Sequence, residues 1–198
     1  MNFPRQSKGF TLVEILVGVG ISVLLVGIVT LLLVQFKKSY SKGEESTIII
    51  QEGGMFLAML RNDMINAVMD KTLNPDQWKE SIRAEPEAIS FPIYRDAEGT
   101  IEPVIYAVEK NPKKSEGLSI SRSQGGGSAK MLVDGHLASL TWTVGTDLLP
   151  GVGSGVRQIW LNIDLVLGGQ GVPGLKGKIL RVSTKLFPTR LNRQINRF

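Results

Sequence analysis

Between Ile15 and Val34 lie twenty residues without a single charge. At about 1.5 Å rise per residue, a helix of that length crosses the roughly 30 Å hydrocarbon core of a bilayer. Lys37, Lys38 and Lys42 then return the chain to water. Beyond them the apolar positions thin out into a stripe. Ile49, Phe56, Leu60, Met64 and Val68 fall on one helical face, with Met55 and Met59 beside them. Arg61, Asn62, Asn66 and Asp70 occupy the other face, so the pattern predicts an amphipathic continuation of the helix. A break is expected at Gly43, and Gly53-Gly54 weakens the helix by about 1 kcal/mol per glycine. The helix is expected to stop near Thr72 to Pro75, because Asn74-Pro75 is a breaker.

From Glu85 onward the period falls to two. Ala88–Tyr94 and Val104–Glu109 read as strands around a turn-like Asp96–Gly99, and Leu118–Arg122 as a third. Gln124–Ser128 reads as a flexible loop. It is no phosphate cradle, since no Gly-Lys-Ser/Thr follows its glycines. Lys130–Asp134 and Leu137–Val144 read as two strands joined by Gly135-His136. In Val156–Leu167, Ile159, Leu161, Ile163, Leu165 and Leu167 share one face; Gln158, Trp160, Asn162 and Asp164 share the other. Gly168–Gly177 is a hairpin-like connection to a last strand, Lys178–Phe187. A run of strands after a helix predicts an α+β fold: a long N-terminal transmembrane and amphipathic helix packed on an antiparallel β-sheet.

Charge sharpens this picture. The net charge is +5, but residues 1–9 carry +2, residues 10–164 carry −4, and residues 165–198 hold seven Lys/Arg and no acid. The basic character belongs to the C-terminal fifth. There is no cysteine, so a domain outside the cytoplasm is held without disulfides.

One acid breaks the apolar pattern. Glu14 stands at the start of the membrane-length run, where a lone carboxylate must protonate, reach water or headgroups, or pair with a cation. The leader before it places Arg5, Lys8 and then the small residue Gly9 ahead of the apolar stretch, the reverse of a secretory signal with its cleavage point after the apolar region. Cutting after Gly9 leaves the whole hydrophobic segment on the mature chain and puts a new amino group on Phe10, four residues from Glu14.

Gly9-Phe10-Thr11-Leu12-Val13-Glu14, with the apolar run behind it, resembles the type IV prepilin signature of pilins and type II secretion pseudopilins. The resemblance covers residues 5–36. It implies cleavage between Gly9 and Phe10 by a prepilin peptidase, N-methylation of Phe10, and pairing of Glu14 with the amino terminus of a neighbouring subunit. It further implies a pilin-like lollipop divided into a leader (1–9), a transmembrane and filament-core helix (10–36), an amphipathic continuation (37–72) and an extracytoplasmic β-rich domain with a basic tail (73–198). The chain would be a single-pass inner-membrane protein whose partners are other pilins or pseudopilins and the peptidase/methylase. Many pilins have a helix-breaking proline within the apolar segment; this chain has none. Gly18, Gly20 and Gly27 are either small residues tolerated in lipid or points that loosen the helix for packing; Gly18 and Gly20 are too close together for a small-xxx-small dimer face. Chain length, late strands and the end Phe187-Pro188-Thr189-Arg190-Leu191-Asn192 are similar to the minor pilin W and pseudopilin J group.

No catalytic constellation stands out. A single histidine, His136, and no cysteine exclude His/Cys metal clusters. His136 reads as a turn residue. Asp70, Asn74 and Asp76 lack the spacing and closing Glu of a calcium loop. Glu85 and Glu87, on either side of Pro86, read as solvated charges. No cofactor is expected. Two function classes remain: a structural filament subunit, or a nucleic-acid-binding subunit of a DNA-uptake pilus whose candidate contacts are Arg190, Arg193 and Arg197. The alternatives for those arginines are a frayed soluble tail, or contact with anionic lipid or an acidic neighbour. An enzyme anchored by the same helix is a third class.

Overall fold

The computed structural model describes residues 11–70, 72–73, 75–96, 99–110, 117–149, 156–168 and 179–196. The chain divides into two compact units, Met1–Glu44 and Glu45–Phe198. Helix α1, Leu12–Asn66, supplies the described part of the first unit and the opening of the second.

In the first unit, no part of Leu12–Tyr40 is buried. Its apolar side chains point outward on every side, Leu12 through Phe36. A helix that is apolar all round needs a nonpolar solvent. The two hydroxyls within it are satisfied locally: Ser22 Oγ donates to the Gly18 carbonyl and Thr30 Oγ1 to the Val26 carbonyl, each at 2.8 Å. That is what lipid demands of a polar group with no water near it.

In the second unit, the expected stripe is the buried one: Ile49, Phe56, Leu60, Met64 and Val68 all lie in the interior. Gly53 lets this helix approach the sheet. A Cβ there would run into Leu167 Cδ1, whereas Gly54 faces open space. The helix ends at Asn66, ahead of the expected stop near Thr72 to Pro75. Sheet pairing captures its backbone first: Ala67 bridges Ile93, and Val68 N–H donates to the Pro92 carbonyl at 2.9 Å. A short 3₁₀ helix, Pro75–Ser81, follows.

Seven antiparallel strands then run in sequence order: β1 Arg83–Ala84, β2 Ala88–Tyr94, β3 Ile101–Lys110, β4 Leu118–Gln124, β5 Lys130–Leu149, β6 Val156–Gly168 and β7 Ile179–Leu186. Burial alternates along β2 and β6 as the period of two requires, with Ile89, Phe91 and Ile93, and then Ile159 to Leu167, facing the helix stripe. Gln124–Ser128 is a tight turn after β4, with Gly125 and Gly126 at positive φ. The expected Gly168–Gly177 connection lies, after Gly168, outside the described residues.

One expectation about the sheet is corrected. Lys130–Asp134 and Leu137–Val144 form a single strand, and Gly135-His136 is an irregularity inside it. Gly135 has φ +72° and packs its carbonyl against Gly117 where a Cβ would not fit. Asp134, Gly135 and His136 stand opposite the single residue Ser119 of β4, and the two extra residues are absorbed as a bulge, which bends a strand without ending it.

The C-terminal segment is corrected as well. Thr189–Ile195 forms a helix, α2, whose Leu191 and Ile195 are buried. Residues 189–196 are therefore not a frayed tail. Two asparagines fasten it to β6. Asn192 accepts from Ile159 N–H at 2.9 Å and donates to its carbonyl at 3.1 Å. Asn196 does the same to Arg157, at 2.8 Å in each direction. Gln194 Oε1 accepts from Met69 N–H at 2.8 Å, tying α2 to the segment after α1.

Candidate assembly and processing segment

The helix start after the leader holds the strongest functional candidate, Glu14. Thr11-Leu12-Val13-Glu14 forms a reciprocal cap. Glu14 Oε2 accepts from Thr11 N–H at 2.9 Å and from Thr11 Oγ1 at 3.0 Å, and Thr11 Oγ1 accepts from Glu14 N–H at 3.3 Å. Two helix-end donors are thereby satisfied by two side chains, and the carboxylate folds back toward the helix N-terminus, where the peptide dipole favours negative charge. Of the fates expected for this acid, none was a neutral partner in its own chain. Thr11 supplies one, and the Thr-x-x-Glu spacing is the signal from which it was readable. Glu14 and Thr11 both remain exposed along with the apolar surface around them. Gly9 and Phe10 lie outside the described residues.

The other candidates are dispersed over the second unit. Arg190 and Arg193 are exposed on α2, with the Arg190 guanidinium 5.9 Å from the centre of the Tyr94 ring. Arg197 lies outside the described residues. Asp70 accepts from Thr72 N–H and Oγ1 at 2.9 and 2.7 Å. Those two bonds, the backbone one foremost, hold its carboxyl below the usual carboxylate range. Asp70 thus closes a local turn, and Asn74 is outside the described residues. Glu85 and Glu87 are exposed, and Trp142 Nε1 donates to the Glu85 carbonyl behind them.

Two polar clusters were not anticipated. His136 Nδ1 sits 2.8 Å from Glu52 Oε2, joining the β5 bulge to α1. Deeper in the domain, Asp63 Oδ2 accepts from Tyr106 Oη at 2.6 Å and from Arg122 Nε at 2.7 Å. Burial, then the bond to Asp63, push the Tyr106 phenol above its ordinary value. Asp63 was legible in principle: it lies seven residues after Phe56, on the buried face. From Arg122 a chain of side chains runs through Gln124 and Glu102 to Arg95 near the surface. These contacts lock helix to sheet.

Residues 4–30 match the family model described as the prokaryotic N-terminal methylation motif. No curated protein and no solved structure matches the chain. The matched segment runs into the membrane-length apolar helix Leu12–Tyr40, and with the antiparallel sheet later in the chain this gives an α+β, pilin-like arrangement.

Proposed function

We propose that this chain is a structural subunit of a filament assembled at the inner membrane, either a type IV pilus or a type II secretion pseudopilus, and a minor subunit of the W or J kind. The carrying observation is that the methylation-motif match at residues 4–30 runs into a helical segment, Leu12–Tyr40, that is apolar on every side. The segment Leu12–Tyr40 buries no stripe against the described residues, and an apolar surface of that kind is satisfied by lipid or by other helices. Prepilin peptidase cuts between Gly9 and Phe10, and Phe10 is then methylated. The sheet domain stands outside the cytoplasm. In a bundle of such helices with little water, Coulomb attraction over a few ångströms is far stronger than at a surface. Glu14 then exchanges its Thr11 contacts for the Phe10 amino group of an adjacent subunit, which fixes axial register and admits only processed chains.

Two variants test this. Gly9→Val keeps the leader attached, read by intact mass; mature chains beginning at Phe10 in that variant refute the processing site. Glu14→Ala is inserted and cleaved but fails to crosslink through its membrane segment to partner subunits. Full crosslinking and full filament function in a cleaved Glu14→Ala chain refute the assembly role. Deletion scored in parallel for twitching, secretion and DNA uptake separates the machines.

A second reading, a DNA-binding subunit of an uptake pilus, is favoured by the exposure of Arg190 and Arg193 on one ordered helix. If they contact phosphate, replacing Arg190, Arg193 and Arg197 with Gln lowers affinity for duplex DNA and shrinks the log-log salt slope by roughly 0.9 per lost contact. Absence of binding by the parent chain refutes it.

A further inference from the structure

The ladder between β6 and β7 fixes which backbone groups of β7 are already used. Ile159 turns both its N–H and its carbonyl toward the β7 side, where Asn192 takes them. A strand repeats every two residues, so Leu161, Ile163, Leu165 and Leu167 turn theirs the same way. They bond Leu186, Thr184, Val182 and Leu180, their partners in the register. The residues between, Arg181, Ser183 and Lys185, therefore direct N–H and carbonyl away from the sheet. β7 is the last strand in the order, and among the described residues nothing is bonded to those outward groups.

Natural sheets blunt such an edge with proline, a bulge or charged side chains that stand over it. β7 has no proline, and its register with β6 runs unbroken from Ile179 to Leu186. Its two cations are drawn back over β6 on the outer face. Arg181 Nε and Nη2 donate to the two oxygens of Asp164 at 3.0 and 2.5 Å. Lys185 Nζ lies 4.6 Å from the centre of the Trp160 ring, which is itself laid across Gly145 where a Cβ would not fit. The edge they leave bare is about 13 Å long, four residues at strand rise. On the inner face a groove of about 570 Å³ runs between β7 and α1, with Leu57, Arg61, Ile65, Val182 and Phe187 in its lining. Ile65 and Phe187 are exposed apolar residues. No acid lines the groove, and Arg61 has no ion-pair partner among the described residues.

We propose that β7 accepts an extended segment of another protein as an added strand. Residues of that segment opposite Arg181, Ser183 and Lys185 bond the open backbone groups, and the residues between them turn their side chains into the groove. In strand addition the main chain supplies affinity and the alternate side chains supply specificity. The groove therefore states the partner: apolar at the inward positions, with one carboxylate among them for Arg61. A second copy of β7 is a poor occupant, because pairing edge to edge brings two acid-free grooves together. The inference concerns the sheet domain and does not depend on the leader, on cleavage or on Glu14.

The test uses the full chain in detergent micelles and the peptide acetyl-Thr-Val-Thr-Val-Thr-Glu-Thr-amide, read by amide hydrogen exchange. In the chain alone, Arg181, Ser183 and Lys185 exchange fast while Val182 and Thr184 are protected. The peptide slows the first three several-fold. Ser183→Pro removes one outward N–H and none of the bonds to β6, a place where an edge strand tolerates proline; it keeps the protection of Val182 and Thr184 and loses the response to the peptide. Arg61→Glu, on the exposed face of α1, decides independently of whether the proline variant folds: it responds to the peptide with Lys in place of Glu and no longer to the original. Outward amides already protected in the chain alone overturn the proposal, as does a parent chain that ignores the peptide. So do an equal response in a folded Ser183→Pro chain, an unchanged preference in Arg61→Glu, and an equal response to a peptide of the same composition without the alternation. Each of these results leaves the Gly9 and Glu14 experiments unaffected.

Discussion

Arg122 is the residue whose removal tests the interior most severely. Its Nε lies 2.7 Å from Asp63 Oδ2, and the two side chains are only 16% and 6% exposed. Changing Arg122→Met leaves a buried carboxylate with Tyr106 Oη as its remaining partner. Breaking one side of such a pair costs about 3–5 kcal/mol, because the surviving charge stays desolvated. Against a total stability on the order of 5–15 kcal/mol this is a large fraction. At about 2–4 °C per kcal/mol for a domain of this size, the midpoint falls by on the order of 10 °C. The diagnostic comparison is a second variant with an apolar trio, Asp63→Leu, Tyr106→Phe and Arg122→Met. It removes the charge together with its partners, and similar replacements of buried pairs are often neutral or stabilising. The triple variant therefore unfolds above Arg122→Met although it carries two more changes. Thermal unfolding of the full chain in one detergent, followed by circular dichroism, reads all three. A triple variant at or below the single one would show that the network stabilises through its net pairing energy and not through avoidance of an orphaned charge.

The same cluster carries a pH dependence. Tyr106 has its phenol pKa raised in the folded state, so its share of stability is complete below the unfolded value of about 10 and is lost as pH rises beyond it. The alkaline limb of stability against pH is accordingly steeper in the parent than in Tyr106→Phe, and parallel limbs would refute the assignment. The adjacent glycines of α1 respond differently to alanine. Gly54→Ala gains about 1 kcal/mol of helix propensity, whereas Gly53→Ala forces Leu167 aside in a packed core at about 1–3 kcal/mol, cancelling or reversing that gain; equal shifts in urea midpoint would contradict the close approach. Asn192→Ala leaves the Ile159 N–H and carbonyl without partners and destabilises by about 1–3 kcal/mol. Asn192→Asp, which keeps the acceptor and loses the donor, also destabilises; hydrogen exchange at Ile159 unaltered in either variant would refute the role.

Most of the architecture was legible because it rests on periodicity. The stripe from Ile49 to Val68 and the alternation from Ile159 to Leu167 each state a face, and the fold buries both. What escaped depends on contacts between distant residues. Gly53-Gly54 looks like a doubled weakness until Leu167 is placed against one of the pair. Gly135-His136 carries turn chemistry, yet the ladder between β4, β5 and β6 is long enough to continue past it. The α1 end is set by pairing with β2 and not by the proline downstream. At the membrane end the reverse holds. Glu14 was singled out by its charge, while its partner Thr11 lay three residues away in a recognisable capping pattern.

Asn192 of α2 and Asn196 at its C-cap show how a helix can stand in for a strand. Two asparagines four apart on a helix are separated by about 6.0 Å along its axis. Two residues that present their backbone groups to the same side of a strand are separated by about 6.6 Å. The two repeats nearly coincide, and an asparagine amide offers the same donor and acceptor as a peptide group. Leu186 is the last residue of β7 to pair, opposite Leu161; Asn192 takes the next rung at Ile159 and Asn196 the one after it at Arg157. The ladder is therefore handed from backbone to side chain without missing a step. A mismatch of about 0.6 Å per rung accumulates, so such a relay serves two rungs well and would drift out of hydrogen-bond range within a few more. The length of β6 that can be closed this way is fixed by the difference between two pitches, and a longer bare margin would need a true strand.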